Sequence, residues 1–318
     1  MTSGHPEPKI IQGGMGAAVS AWTLARAVSK TGQLGVVSGT ALDVILCRRL
    51  QLGDPGGDLR RAMAAFPFPE MAARIIDRYF IPGGKSPTAP HRAYPLPAAE
   101  PSRHHLEVLV VSNFVEVYLA KEGHDGLVGV NYLEKIQLPT LPSIFGAMLA
   151  GVDYVLMGAG IPRAIPGILD SLSRGEPVEL VLNVEGAARD DRFVTRFDPA
   201  AFCVGQRPQG DHAPDSMRTD EGAVPFLKRP KFLAIIASAT LATVLSRKST
   251  GRVDGFIVEG PTAGGHNAPP RGALRLSDEG EPIYGDRDVV DLNAIEALGL
   301  PFWLAGEYGT PERLVEAL

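Results

Sequence analysis

The run Val258-Glu259-Gly260-Pro261-Thr262-Ala263-Gly264-Gly265-His266-Asn267 holds the residues best suited to do chemistry. It opens as an apolar strand and delivers a histidine behind two glycines. The backbone can then lie close to a flat ligand while the imidazole reaches over it, an approach that only glycine permits. A lone histidine is more often structural, but the place of His266 just past a strand end favours a catalytic role. Two roles suit an imidazole there, because its ordinary pKa lies near working pH: general base toward a C–H acid, or cationic partner of a substrate already anionic.

The elements that must position this run are short apolar stretches, each followed by a helical pattern, at 9–12, 34–37, 106–111, 127–131, 154–157, 232–237, 255–258 and 302–305. Strands buried on both faces have this character, and their alternation with helices predicts a parallel sheet. Glycine follows nearly every one of them (Gly13, Gly39, Gly158, Gly260, Gly306). A dinucleotide-binding fold gathers its glycines in one G-x-G-x-x-G turn, and here Val19 stands where the third would fall. No phosphate-binding G-x-x-x-x-G-K-[ST] loop is present either. Glycine at many strand ends instead suits a (β/α)8 barrel of TIM type, in which several ends converge on one ligand at the C-terminal mouth.

Composition narrows the function further. The 318 residues include 31 basic and 36 acidic side chains, and no basic stripe stands out, so nucleic acid and anionic membrane surfaces are not expected partners. Cys47 and Cys203 sit in apolar surroundings without a CxxC partner, as core residues of a cytoplasmic protein do. The longest apolar stretch, 232–245, falls short of the roughly 20 residues that span a bilayer, and the N-terminus lacks an export pattern. One domain over 1–318 is expected, interrupted by a proline-rich insertion at 82–103 and a second insertion at 187–230 that could act as a lid. His104 and His105 lack neighbours at metal-ligand spacing, so no metal is expected. The pairs Arg189, Asp190, Asp191 and Arg192 read as a solvated face.

Four motifs together, IIQGGMG at 10–16, GVVSGT at 35–40, VGVN at 128–131 and EGPTAGGH at 259–266, resemble the nitronate monooxygenase family, which includes flavin-type enoyl-acyl carrier protein reductases. The resemblance implies an FMN-dependent TIM-barrel oxidoreductase acting on a small molecule, with O2 or NAD(P)H as co-substrate. A homo-oligomer is compatible with it. It places Gly13, Gly14 and Met15 beside the isoalloxazine, has Asn131 hydrogen-bond the cofactor, and brings Gly264 and Gly265 to it by backbone. Gly306 in LAGEYG matches the phosphate-side glycine, and His266 the catalytic histidine. Glu259 stands where many members have glutamine, which would put a charge near the ring.

Lys135 could stabilise the negative charge of a reduced flavin or be an ordinary solvated lysine, and the GAGIP turn at 158–162 resembles the fourth-strand turn. Aligned by motif, VGVN becomes the third strand and FWLAGE the seventh. The stretch at 106–111 is then an extra strand, and the family's eighth strand has no counterpart before the closing helix at 312–318. A barrel incomplete at its C-terminal end, lacking half of the phosphate cradle, is therefore expected. Three activities stay open: oxidation of nitronates or similar stabilised carbanions, reduction of an enoyl thioester, and a flavin-binding barrel without turnover.

Overall fold

A computed structural model describes residues 6–188, 190–204, 226–264 and 268–318. Six strands form one parallel sheet in chain order: β1 (Gly35–Ser38), β2 (Val128–Leu133), β3 (Tyr154–Gly158), β6 (Lys231–Ile236), β7 (Gly255–Glu259) and β8 (Phe302–Ala305). Residues 9–12 extend it by one more rung. Ile11 bridges Leu34 in parallel, Leu34 N donates to Ile10 O, and Gln12 N donates to Leu34 O.

The pleat sorts the side chains into two layers, since successive strand residues face opposite ways. Leu34, Val36, Tyr154, Leu156, Leu233 and Ile257 pack together on the concave side, with Ile11, Ile235 and Trp303 against them. Val37, Val130, Val155, Phe232, Phe256 and their neighbours face outward into a larger core shared with the helices. The sheet is thus a curled, open barrel of TIM type. Among the described residues no strand pairs with the outer edge of β8 or of 9–12. The two edges are tied by a side chain instead, as Trp303 Nε1 donates to Pro8 O at 2.7 Å.

One expected strand is a helix. Residues 106–111 lie inside α5 (Arg103–Lys121), whose N-terminus is capped by Ser102 Oγ accepting from His105 N at 3.2 Å. Before it, β1 leads into α2 (Leu42–Gln51), α3 (Asp58–Ala64) and α4 (Pro69–Tyr79); α1 (Trp22–Ser29) precedes β1, and α6 (Thr140–Leu149) follows β2. The α5 helix packs against all five of these helices and against β1 and β2, and is buried nearly all round. A helix so enclosed has no polar stripe, so its sequence lacks the 3.6-residue rhythm that separates a helix from a buried strand.

The proline-rich stretch at 82–102 carries no helix or strand, but it is tied down as a strap. Lys85 N donates to Gln51 O, Tyr94 OH to Asp43 Oδ2, and Thr195 Oγ1 to Ala99 O. The chain between β3 and β6 starts with α7 (Ile165–Ser173), followed by an antiparallel hairpin of β4 (Val178–Val181) and β5 (Val194–Phe197) and by α8 (Pro199–Cys203). Phe197 and Phe202 seat this excursion on Phe145 of α6. Residues 205–225, the rest of the expected lid, lie outside the described residues. Cys47 and Cys203 are buried free thiols, each pushed up to about 12 by burial. Among the described residues no helix is long and apolar enough to cross a membrane.

Candidate active site

The glycine-rich strand ends gather at the C-terminal end of the parallel sheet, where barrel enzymes place their chemistry. The 12–20 turn is wound around Ser20, whose Oγ donates to Gly13 O (3.0 Å) and accepts from Met15 N (3.0 Å). Gly14 lies buried beneath it. An added Cβ there would sit 2.6 Å from Val36 Cγ1, 2.9 Å from Val37 O and 3.0 Å from Asn131 Cβ, so no side chain fits without lifting the turn. Gly13 is exposed and meets no such obstruction, and Met15 is half-buried.

Asn131 occupies an inward position of β2, in register with Ser38 and Leu156. Its Nδ2 donates to Gly14 O at 3.0 Å, which fixes both the turn and the amide, and its buried Oδ1 has no partner among the described residues. An unsatisfied buried acceptor costs about 1–3 kcal/mol, so an N–H from a ligand would be welcome there.

The opposite side of the mouth is built from β7 and β8. Gly260 N donates to Ala305 O at 3.2 Å, and Gly306, at φ +143°, stands so close to the neighbouring turn that a Cβ would lie 2.8 Å from Thr262 Oγ1. This contact joins the 259–264 turn to the 304–309 turn. Glu259 follows Ile257 on the concave side of β7, and burial alone pushes its carboxyl up to about 7. A Cβ on Gly264 would meet nothing within 4 Å among the described residues. Gly265 and His266 lie outside the described residues.

The structure therefore brings Gly14, Met15 and Asn131 together at one side of the mouth, and Glu259, Gly264 and Gly306 at the other. Lys135 is exposed beyond β2. The 158–162 turn bends through Ala159 (φ +55°) and Gly160 (φ +158°), and an added Cβ on Gly160 would strike Glu134 Oε2 at 1.9 Å. Burial raises the Glu134 carboxyl as well.

Comparisons with known proteins add little to this geometry. No family model and no curated protein matches the sequence. Among solved structures, the chain is similar to a point mutant of FabK from Thermotoga maritima, with 16% identity and a TM-score of 0.36. The match covers 94% of this chain and 61% of that one, so the chain spans about three-fifths of its length.

A second feature was not visible in the sequence. A cavity of about 240 Å³ lies outside the sheet, between the β1–α2 turn, the strap, α5 and α6, with Leu42, Leu109, Tyr132 and Leu133 in its wall. Asp43, His105 and Tyr94 meet at its edge. Burial pushes the Asp43 carboxyl up, but bonds from His105 and Tyr94 outweigh it and hold it below the ordinary range. His105 Nε2 stands 3.6 Å from Asp43 Oδ2, and its buried Nδ1 has no partner among the described residues. Only the lone aromatic of the proline-rich stretch, Tyr94, could have signalled that the strap covers something.

Two expected results follow at the mouth. Because Gly264 has open space around it, Gly264→Val should leave the melting temperature within a degree or two; if the glycine meets a flavin by backbone, the variant should lose FMN affinity about a hundredfold, read by flavin fluorescence. Glu259 binds its proton more tightly in the folded chain, at about 7, than at the ordinary 4.5, so its share of stability falls as pH rises between these values and stays low above them. Glu259→Gln should thus raise the melting temperature near pH 8 and have little effect near pH 4.5, as paired thermal melts would show.

Proposed function

We propose that the chain is an FMN-dependent oxidoreductase of nitronate monooxygenase type, oxidising small nitronates or similar stabilised carbanions. The observation that carries this reading is the Gly14–Asn131 pair. A cradle with no room for a Cβ, next to a buried amide oxygen without a partner, fits the edge of a flat heteroaromatic ring that offers an N–H. The open face of Gly264 fits the same ring by backbone approach. Gly306 and the turn it touches would form the phosphate side, where a glycine admits backbone N–H groups close to an anion.

FMN, when bound, supplies the electron-accepting chemistry. The residues do the rest. Asn131 and the Ser20-wound turn fix the ring's position. His266, carried over by resemblance, holds a proton near an anionic substrate or takes one from a C–H acid. Met15 and the inward apolar side chains below the mouth, Val36 and Leu156 among them, exclude water from the floor. A small-molecule substrate, with O2 or NAD(P)H as co-substrate, belongs to this proposal, as does a cytoplasmic location.

Reduction of an enoyl thioester is the second reading, and the 240 Å³ cavity favours it. Most of its polar side chains are already committed: Tyr132 OH donates to Asn113 Oδ1 (2.7 Å) and lies 3.0 Å from Ser143 O, Thr140 Oγ1 donates to Ile136 O (2.9 Å), and Tyr94 OH donates to Asp43 Oδ2. What remains for a ligand is largely apolar wall, suited to a hydrocarbon tail. Titrating the purified chain with FMN and following flavin fluorescence tests both readings at once. Tight uptake followed by O2-dependent loss of a nitronate supports the first, and NAD(P)H consumption with an enoyl thioester supports the second. A chain that takes up no FMN is a barrel without turnover.

A further inference from the structure

We propose that Glu116, buried in the α5 helix, is a positioning residue of the mouth: by accepting the backbone N–H of Trp22 at the start of α1, it holds the 12–20 turn in place. The inference rests on the reading of that turn as the seat of a flavin, and adds to it a support that no strand end supplies. It begins with what α1 lacks. The first N–H groups of a helix need acceptors from outside it, and the side chain of the N-cap residue ordinarily gives one. Here the N-cap is Ala21, which has none to give, and the acceptor comes from 94 residues further along the chain: Trp22 N donates to Glu116 Oε1 at 2.7 Å. A carboxylate suits that end of a helix, because the helix dipole favours negative charge there.

Packing alone does not call for a carboxylate at this place. Glu116 is buried in a helix enclosed by other helices, where a leucine would fill the volume without the cost of desolvating a charge. The other buried glutamate of α5, Glu107, is matched by two cations, Arg74 at 2.7 Å and Arg103 at 3.0 Å. Glu116 has one, Arg49 of α2, at the longer distance of 3.5 Å. Burial pushes its carboxyl up, while Arg49 and the Trp22 N–H oppose the rise. Among the described residues, the bond to α1 is therefore the one short contact that this buried group makes.

What the bond holds is Ser20, two residues before Trp22 and joined to it through the extended Ala21 (φ −85°, ψ 171°). Ser20 N donates to Met15 O at 3.1 Å, its carbonyl accepts from Ser38 N at 2.9 Å, and its Oγ is the pivot of Gly13 and Met15. The turn is thus held from two sides. Asn131 of β2 fixes Gly14 on the outgoing leg, and Glu116 of α5 fixes the return leg where it enters α1. Without the second support the first turn of α1 would fray, and Ser20 would have to keep the exposed stretch 16–19 in place with its own bonds.

The test removes the bond from each end in the full chain. Glu116→Leu deletes the acceptor, and Glu116→Gln keeps one at the same reach. Trp22→Pro deletes the donor at the first helical position, where proline is tolerated, and Trp22→Ala loses the same indole but keeps the N–H. Hydrogen exchange read by mass spectrometry on the flavin-free chain reports on the turn directly. Fragments within 13–24 should exchange about tenfold faster in Glu116→Leu than in Glu116→Gln, and in Trp22→Pro than in Trp22→Ala, with fragments of α6 unmoved. FMN affinity, read by flavin fluorescence well below the melting temperature, should fall about tenfold in Glu116→Leu and stay within about twofold of the wild type in Glu116→Gln. A role in packing alone would lower the melting temperature without separating the members of either pair. Should Glu116→Leu not fold, the Trp22 pair decides. Equal exchange within either folded pair, or a glutamine variant that loses as much as the leucine one, would overturn the proposal. The parent reading is scored on its own. A wild-type chain that shows the exchange differences but takes up no FMN keeps Glu116 as holder of the turn and loses the flavin, whereas tight uptake with equal exchange keeps the flavin and loses Glu116.

Discussion

Gly14→Val should abolish FMN binding and destabilise the chain together, in contrast to Gly264→Val. The new side chain would have to displace Val36 Cγ1, Val37 O and Asn131 Cβ, all within 3.0 Å of its first carbon. All three belong to packed strand residues, and Val37 O and Asn131 Cβ cannot swing away, so the 12–20 turn must rise and break the Asn131–Gly14 bond. Overpacking of this kind costs about 2–3 kcal/mol. Losing the fixed amide as well should weaken FMN by more than about a hundredfold, equivalent to about 2.7 kcal/mol. Urea denaturation and flavin fluorescence measure the two losses on one sample. Retained affinity with lowered stability would show that the turn positions the strands and not the cofactor.

A still larger loss of stability is expected from Gly146→Ala, far from the mouth. Gly146 lies on α6 where it crosses α5, and an added Cβ would stand 2.2 Å from Val110 O, 2.9 Å from Val110 C and 3.0 Å from its Cα. The obstruction is backbone, so relief requires the two helices to separate, and both are buried along most of their length. Alanine gains up to about 1 kcal/mol in helix propensity over glycine. Separation should cost about 3 kcal/mol or more, so the steric cost prevails. The urea midpoint should therefore fall clearly. An unchanged or raised midpoint would mean that α6 slides on α5 without loss.

Six of the eight expected strands coincide with observed strands to within a residue or two, because a strand buried on both faces leaves a short uninterrupted apolar run that few other elements imitate. The run at 106–111 is the exception that shows the limit of this signal. The α5 helix is enclosed by five helices and two strands, so its sequence is nearly as evenly apolar as a strand's; the polar pair Ser112 and Asn113, which bond to the helix's own Leu109 O, follows the run and hints at its continuation as a helix. Residues 9–12 contribute one bridge and not a full strand.

At the mouth, the positions of Gly14, Glu259, Gly264 and Gly306 could be anticipated because each follows or ends an apolar run of one parallel sheet, whereas Asn131, expected at a strand end, lies two residues inside β2. The Asp43–Tyr94–His105 cluster could not. Its members come from α2, the strap and α5, and no local pattern connects residues that only the tertiary fold brings together.

The bond from Trp303 to Pro8 gives the molecule a built-in optical reporter. The chain has two tryptophans, and only Trp303 lies in the seam between the sheet's first and last segments; Trp22 begins α1, where its backbone N–H bonds Glu116. Indole emission shifts with the polarity around the ring and with the bond its N–H makes. In a Trp22→Phe background the remaining signal belongs to the seam alone. Parting of the two sheet edges would then be read as a colour change in a single residue, separately from the melting of the helical layer outside.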